Sequence, residues 1–198
     1  MVGMTFGSRW KKNSLGCENL KKKSGWFGNP TRHHLSALGI PTTKKFTGKR
    51  EDDIIDKVLI HQYIDIDRND VVDIFEYKGY PIVIVDTWDF GGIWQENNDA
   101  ILLDYTSYTE LSPKHIQYIL DHEIVERELA ENDFGKQSHS KTVAKYHEIA
   151  NEIVSAEYSY EDIKSFYEDM CDYYDKFTDL DDYEIEDYAK WHLRGALK

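Results

Sequence analysis

Between residues 71 and 105 the apolar positions come in short, dense runs, and from residue 112 onward they recur at helical spacing. "VVDIFEY" (71–77) and "YPIVIVD" (80–86) are rich in β-branched and aromatic residues, and Lys78-Gly79 between them is a two-residue hairpin signal. "WDFGGIWQENND" (88–99) reads as a loop around Gly91-Gly92, and "AILLDY" (100–105) as a third short strand. Ser112 can cap a helix and Pro113 suits its first position. Helices are predicted over about 113–131, 140–157, 160–177 and 181–195, with breaks at "NDFG" and "DLDD". Residues 52–66, "DDIIDKVLIHQYIDI", fit helix and strand equally well. Strands grouped ahead of helices predict an α+β domain: a small antiparallel sheet or hairpin followed by a bundle of about four helices.

Residues 1–50 lack this periodicity. "KKKSGWFGNPTRHHLSALGIPTTKKFTGKR" is punctuated by Gly25, Gly28 and Pro30, then offers a helix-compatible stretch, Thr31–Leu38, that Gly39 and Pro41 close. Trp26, Phe27, Leu35, Leu38 and Ile40 make it adhesive. The charge divides at the same place. The first fifty residues carry 11 Lys+Arg against the single acid Glu18, a net +10, while residues 51–198 carry 13 Lys+Arg against 36 acids, a net −23. The expected organisation is therefore a basic, largely extended N-terminal arm (1–50) on an acidic domain (51–198). A partly disordered tail is the plainer reading of the arm. Its partners would be acidic protein surfaces or, through the arm alone, nucleic acid, because the acidic domain repels phosphate.

Apolar residues at 40% and aromatics at 14% are enough to fill a core. No apolar run approaches the roughly 18–20 residues of a membrane span, and the N-terminus does not read as a secretory signal. Two widely separated cysteines, Cys17 and Cys171, argue against a disulfide framework and point to synthesis in a reducing, cytosolic compartment.

The chemistry gathers in "DHEIVERE" (121–128), which opens like the zinc-protease signature H-E-x-x-H but has Glu126 in its fifth position. A hydrolytic zinc site needs three protein ligands, one open position and a carboxylate to take a proton from the attacking water. His122 and Glu126 are four apart and share a helix face, and a carboxylate ligates zinc as acceptably as imidazole does. Glu123 points to a neighbouring side, the place of a general base. Ile119, His122, Glu126 and Leu129 step by +3, +4, +3, so two polar residues sit in a stripe meant for the core. Val143, His147, Ala150 and Val154 repeat the pattern, and antiparallel packing of the two helices would bring His147 to His122 and Glu126. The candidate set is thus zinc on His122, Glu126 and His147, with Glu123 as base. The competing reading pairs a buried Glu126 with a cation and makes His147 a hydrogen-bonded core histidine. His139 is a reserve ligand, and His33, His34, His61, His115 and His192 show no comparable pattern.

Over roughly residues 77–175 the order of these motifs resembles a group of small phage-encoded proteins with an HExxE helix, a following His-x-x-Ala helix and an acidic, Tyr-containing helix. The matching residues are His122, Glu123 and Glu126, then His147 and Ala150, then Tyr160 and Tyr167. The order also resembles the minimal zincin core, with the ligand inventory of thermolysin-type sites except that the helical Glu and the distal His have exchanged places. Val154 stands where related sequences carry a further glutamate, with Glu152 and Glu157 nearby. The resemblance implies a zincin-like metal-binding protein and a zinc-dependent peptidase acting on peptides. It also implies an edge strand beside the active helix that holds substrate, a role "AILLDY" fits. The segment "GWFGNPTRHHLSALGIPT" is similar to short motifs at the ends of other phage proteins. This implies synthesis in the host cytoplasm and, as the alternative function, an accessory virion protein whose His/Glu cluster is non-catalytic and whose arm binds neighbouring subunits.

Overall fold

The structure, a computed structural model, describes residues 49–60, 66–86, 92–94, 100–133 and 139–197. All of the expected arm but its last two residues lies outside these, as do His33, His34, His61 and Cys17.

The hairpin forms where the dipeptide predicts it. Strands β1 (Val71–Tyr77) and β2 (Tyr80–Val85) pair antiparallel with Tyr77 opposite Tyr80. Lys78 at φ 48° and Gly79 at φ 89° supply the two positive φ values that a tight right-twisting hairpin needs. Two further strands, β3 (Gly92–Trp94) and β4 (Ile101–Asp104), complete a four-stranded sheet in the order β1-β2-β4-β3. This corrects the expectation in three respects. The sheet is mixed, because β4 runs parallel to β2, with Ile82 opposite Ile101. The segment read as a loop contributes β3, antiparallel to β4. And "AILLDY" is an interior strand, so the edge beside the helices falls to β3 instead.

Alternation explains why β2 and β4 are apolar throughout. Ile82, Ile84, Ile101 and Leu103 face a core filled from the helices by Ile116, Leu120, Met170 and Tyr174. Val83, Val85 and Leu102 point the other way. That second face must also be covered, and the ambiguous segment does so as a helix, α1 (Lys49–Ile60), through Ile55 and Val58. Each such side chain taken out of water contributes about 1.5–3 kcal/mol. A helix therefore precedes the sheet as well as following it.

After β4 the chain turns straight into α2 (Tyr105–Glu110), capped by the buried Asp104, which accepts from the Ser107 N–H at 3.0 Å. Four longer helices follow close to the expected bounds: α3 (Pro113–Asp133), α4 (His139–Ser155), α5 (Tyr160–Phe177) and α6 (Asp182–His192). Ser112 accepts from the His115 N–H at the start of α3. Reciprocal capping boxes, Ser159 with Asp162 and Asp181 with Glu184, start α5 and α6. Tyr118, Val154, Ile163, Phe166 and Leu193 knit α3, α4, α5 and the turn after α6 into a second core. That turn holds Gly195 at φ 101°, where an added Cβ would lie 2.5 Å from the Glu148 carbonyl oxygen. No helix among the described residues is long and apolar enough to cross a membrane.

Candidate metal centre

Helices α3 and α4 pack against each other in antiparallel sense: Tyr118 reaches Asn151 while His122, one turn later on α3, reaches His147, one turn earlier on α4. The stripe of α3 is buried at His122 and Glu126, and that of α4 at Ala150 and Val154; the side chain of Val143 lies outside the described residues, as does that of His139. Three donor atoms converge as a result. His122 Nε2 is 3.1 Å from Glu126 Oε2 and 2.9 Å from His147 Nδ1, and His147 Nδ1 is 3.6 Å from Glu126 Oε2. Ligand atoms held at 2.0–2.1 Å around a tetrahedral zinc stand about 3.4 Å apart. The triangle in this protein is of that size, and these residues can hold a metal ion.

The side chains of His122, Glu126 and His147 are 6, 8 and 12% exposed. Burial lowers the pKa of His122, against the opposing pull of its bond to Glu126. Burial also pushes the Glu126 carboxyl up, but the hydrogen bond with His122 and the nearby imidazole of His147 more than offset it and hold the group down at about 2. Glu126 is therefore a carboxylate partnered by imidazoles. Arg127, its neighbour, lies over the Tyr80 ring and pairs with Glu131 at 2.8 Å. Glu123 is also buried, at 8% exposure, but it is not one of the three convergent residues.

The surroundings of the two histidines differ. His147 stacks on Trp191, with ring centroids 4.6 Å apart, and its Nε2 is 3.2 Å from the Trp191 carbonyl oxygen. A carbonyl only accepts, so this contact is satisfied by the tautomer that carries its proton on Nε2, which leaves a lone pair on Nδ1 facing His122 and Glu126. Metal-bound histidines usually direct their second nitrogen in this way. His122 Nδ1, by contrast, is buried with no hydrogen-bond partner in the structure.

Three contributors went unmarked in the sequence. Asn151 is completely buried, and its position one turn after His147, inside an apolar stripe, was the available signal. Trp191 contributes a backbone carbonyl, which leaves no trace in residue type. His192, read as patternless, is half-buried beside the site, where Tyr174 lies 2.5 Å from its Nε2. Burial, reinforced by the imidazoles of His147, His122 and His115, pushes it down to about 3. His115 proves to be a buried partner of Asp169 at 3.3 Å, stacked on Phe166 and apart from the cluster of three.

No protein-family model, curated protein or solved structure matches this chain.

Proposed function

We propose that this is a zinc-binding protein with a zincin-like core, in which His122 and Glu126 of α3 and His147 of α4 hold the ion and Glu123 serves peptide hydrolysis. The observation that carries the reading is the triangle of donor atoms, 2.9, 3.1 and 3.6 Å on its sides. Zinc bound there would supply a Lewis acid and would acidify a bound water. The chain's own residues do the rest. Glu126 brings the negative charge that favours a divalent cation, and burial favours the neutral form of His122, the form that can ligate. Glu123, on the next position of α3, accepts the proton of the attacking water on a carboxylate oxygen and returns it to the departing amine. Strand β3, the sheet edge alongside α3, is the place for an extended peptide to add as a further strand.

One observation favours a second reading. All three ligand side chains are at most 12% exposed, which suits a closed, structural ion that rigidifies α3 against α4. In that case the protein is an accessory component of a phage particle, made in the host cytoplasm, and the basic residues 1–50 bind neighbouring subunits.

Elemental analysis of the purified protein decides the common premise. About one zinc per chain is expected in the wild type and a loss of most of it in His122→Ala and His147→Ala; wild type with no bound metal after zinc-supplemented expression refutes both readings. Glu123→Gln then separates them. It keeps its metal in each, and it abolishes peptidase activity only if the site is catalytic.

A further inference from the structure

Asn151 sits one turn beyond His147 on α4 with no exposed surface. Its amide nitrogen donates to the carbonyls of His192 at 2.9 Å and Arg194 at 3.0 Å, and its side-chain oxygen accepts from Tyr118 at 2.6 Å. Both amide protons are used in this way. The remaining approach, 3.3 Å from Asn151 Nδ2 to His147 Nε2, is the longest of the three and has no proton left for it. The His147 Nε2 therefore has one partner, the Trp191 carbonyl, in the stretch of chain that Asn151 grips. Leu193, 1% exposed, and Gly195, packed on the Glu148 carbonyl, fix the same stretch from either side.

We propose that Asn151 is a positioning residue for the ligand His147: it clamps the turn after α6 so that the Trp191 carbonyl takes the His147 Nε2 proton and leaves the Nδ1 lone pair aimed at His122 and Glu126. This rests on the zinc-binding reading above and names the residue that makes the distal ligand competent. Without the clamp the turn keeps on α4 only the exposed Arg194–Glu148 ion pair and the packing of Leu193 with Val154, neither of which holds the Trp191 carbonyl to the ring, and the imidazole is free to hold its proton on Nδ1, where it blocks coordination. Tyr118 acts one step further out, by orienting the Asn151 amide so that nitrogen and not oxygen faces the two carbonyls. Outer partners of this kind are worth about 10–100-fold in metal affinity.

The test uses the full chain, zinc ion alone as ligand, and two independent readouts. Long-range 15N correlation spectra of the metal-free protein at pH 8 report the tautomer of His147, and competition with a chelator gives the zinc Kd. Wild type should show His147 protonated at Nε2. Asn151→Leu should show a mixed tautomer and a zinc Kd weakened by about 10–100-fold, and Tyr118→Phe a smaller change in the same direction. Ile163→Val, which trims the same apolar cluster without touching the clamp, should leave both readouts as in wild type. If Asn151→Leu does not fold, Tyr118→Phe against Ile163→Val decides the matter. An Nδ1-protonated His147 in wild type overturns the proposal, as do clamp variants that match Ile163→Val in both measurements. If wild type binds no zinc, the functional reading fails, while the tautomer in the metal-free protein still decides whether Asn151 positions His147.

Discussion

Glu126→Gln is the sharpest single perturbation, because it keeps the shape of the side chain and removes only its charge. Structural zinc sites yield apparent binding energies of about 10–16 kcal/mol from four ligands, or roughly 3 kcal/mol per ligand. Three ligands then give about 9 kcal/mol, a Kd of a few tenths of a micromolar. At about 100 μM free zinc the folded state gains about 3.5 kcal/mol, and Tm rises by roughly 10 °C for a domain of this size. Removing one ligand shifts the Kd into the tens of micromolar, so the gain falls below about 1 kcal/mol and the rise to about 2 °C. Metal-free Glu126→Gln should itself be less stable, on the order of 3 kcal/mol, since the fold holds the ionised carboxyl so far below its ordinary range. The quantity to compare is therefore each protein's zinc-induced shift from its own chelator-treated baseline, followed by differential scanning calorimetry. Equal shifts in wild type and Glu126→Gln would mean that zinc is stabilising through surface carboxylates, and the ligand set would be wrong.

Acidification gives a second prediction. His115, His122 and His192 all have folded pKa values below 6.5, so they favour the neutral form in the fold; their contribution is complete above pH 6.5 and is lost as pH falls below it. Glu126, also depressed, adds loss below 4.5. For His192, held down to about 3, the drop between pH 7 and 5 is about 2 kcal/mol. Urea midpoints in high salt, where repulsion among the 37 acids is screened, should fall over that interval and fall less in His192→Asn; a flat profile refutes the assignment. Gly195→Ala should cost about 1–3 kcal/mol, since it combines a positive φ with a Cβ 2.5 Å from the Glu148 carbonyl; chemical denaturation measures it, and a neutral effect means the turn is misplaced. Tyr77→Phe removes one of the two partners of buried Asp121 Oδ1, the other being Lys78 at 2.7 Å. It should destabilise by about 1–3 kcal/mol, and a subsequent Asp121→Asn should then cost less than it does in wild type.

Much of the fold was legible because its signals are local. Lys78-Gly79 specifies the hairpin, Ser112-Pro113 the start of α3, and the helical periods the four long helices. Segment 52–66 was not, because its apolar content suits either period; what makes residues 49–60 helical is the need to cover Val83, Val85 and Leu102. Nor was the parallel pairing of β2 with β4, since burial on both faces erases the alternation that would orient a strand. In the site, His122, Glu126 and His147 announced themselves as polar residues in apolar stripes. Asn151 obeys the same rule, but its side chain is no metal ligand, so ligand chemistry does not single it out. Glu123 lies on α3 and, as a residue expected beside the ligands and not among them, is not one of the three convergent residues.

The separation of partners along the chain has a kinetic consequence. His122 and His147 are only 25 residues apart on two successive helices, whereas the Trp191 carbonyl that partners His147 comes 44 residues after it. Contacts close in sequence incur little loop-closure entropy and can form early, while distant ones come later. The helix pair α3–α4 can therefore bring His122, Glu126 and His147 together before the turn after α6 has docked. Zinc should then accelerate refolding as well as slow unfolding, and both arms of a chevron plot should move when the ion is added.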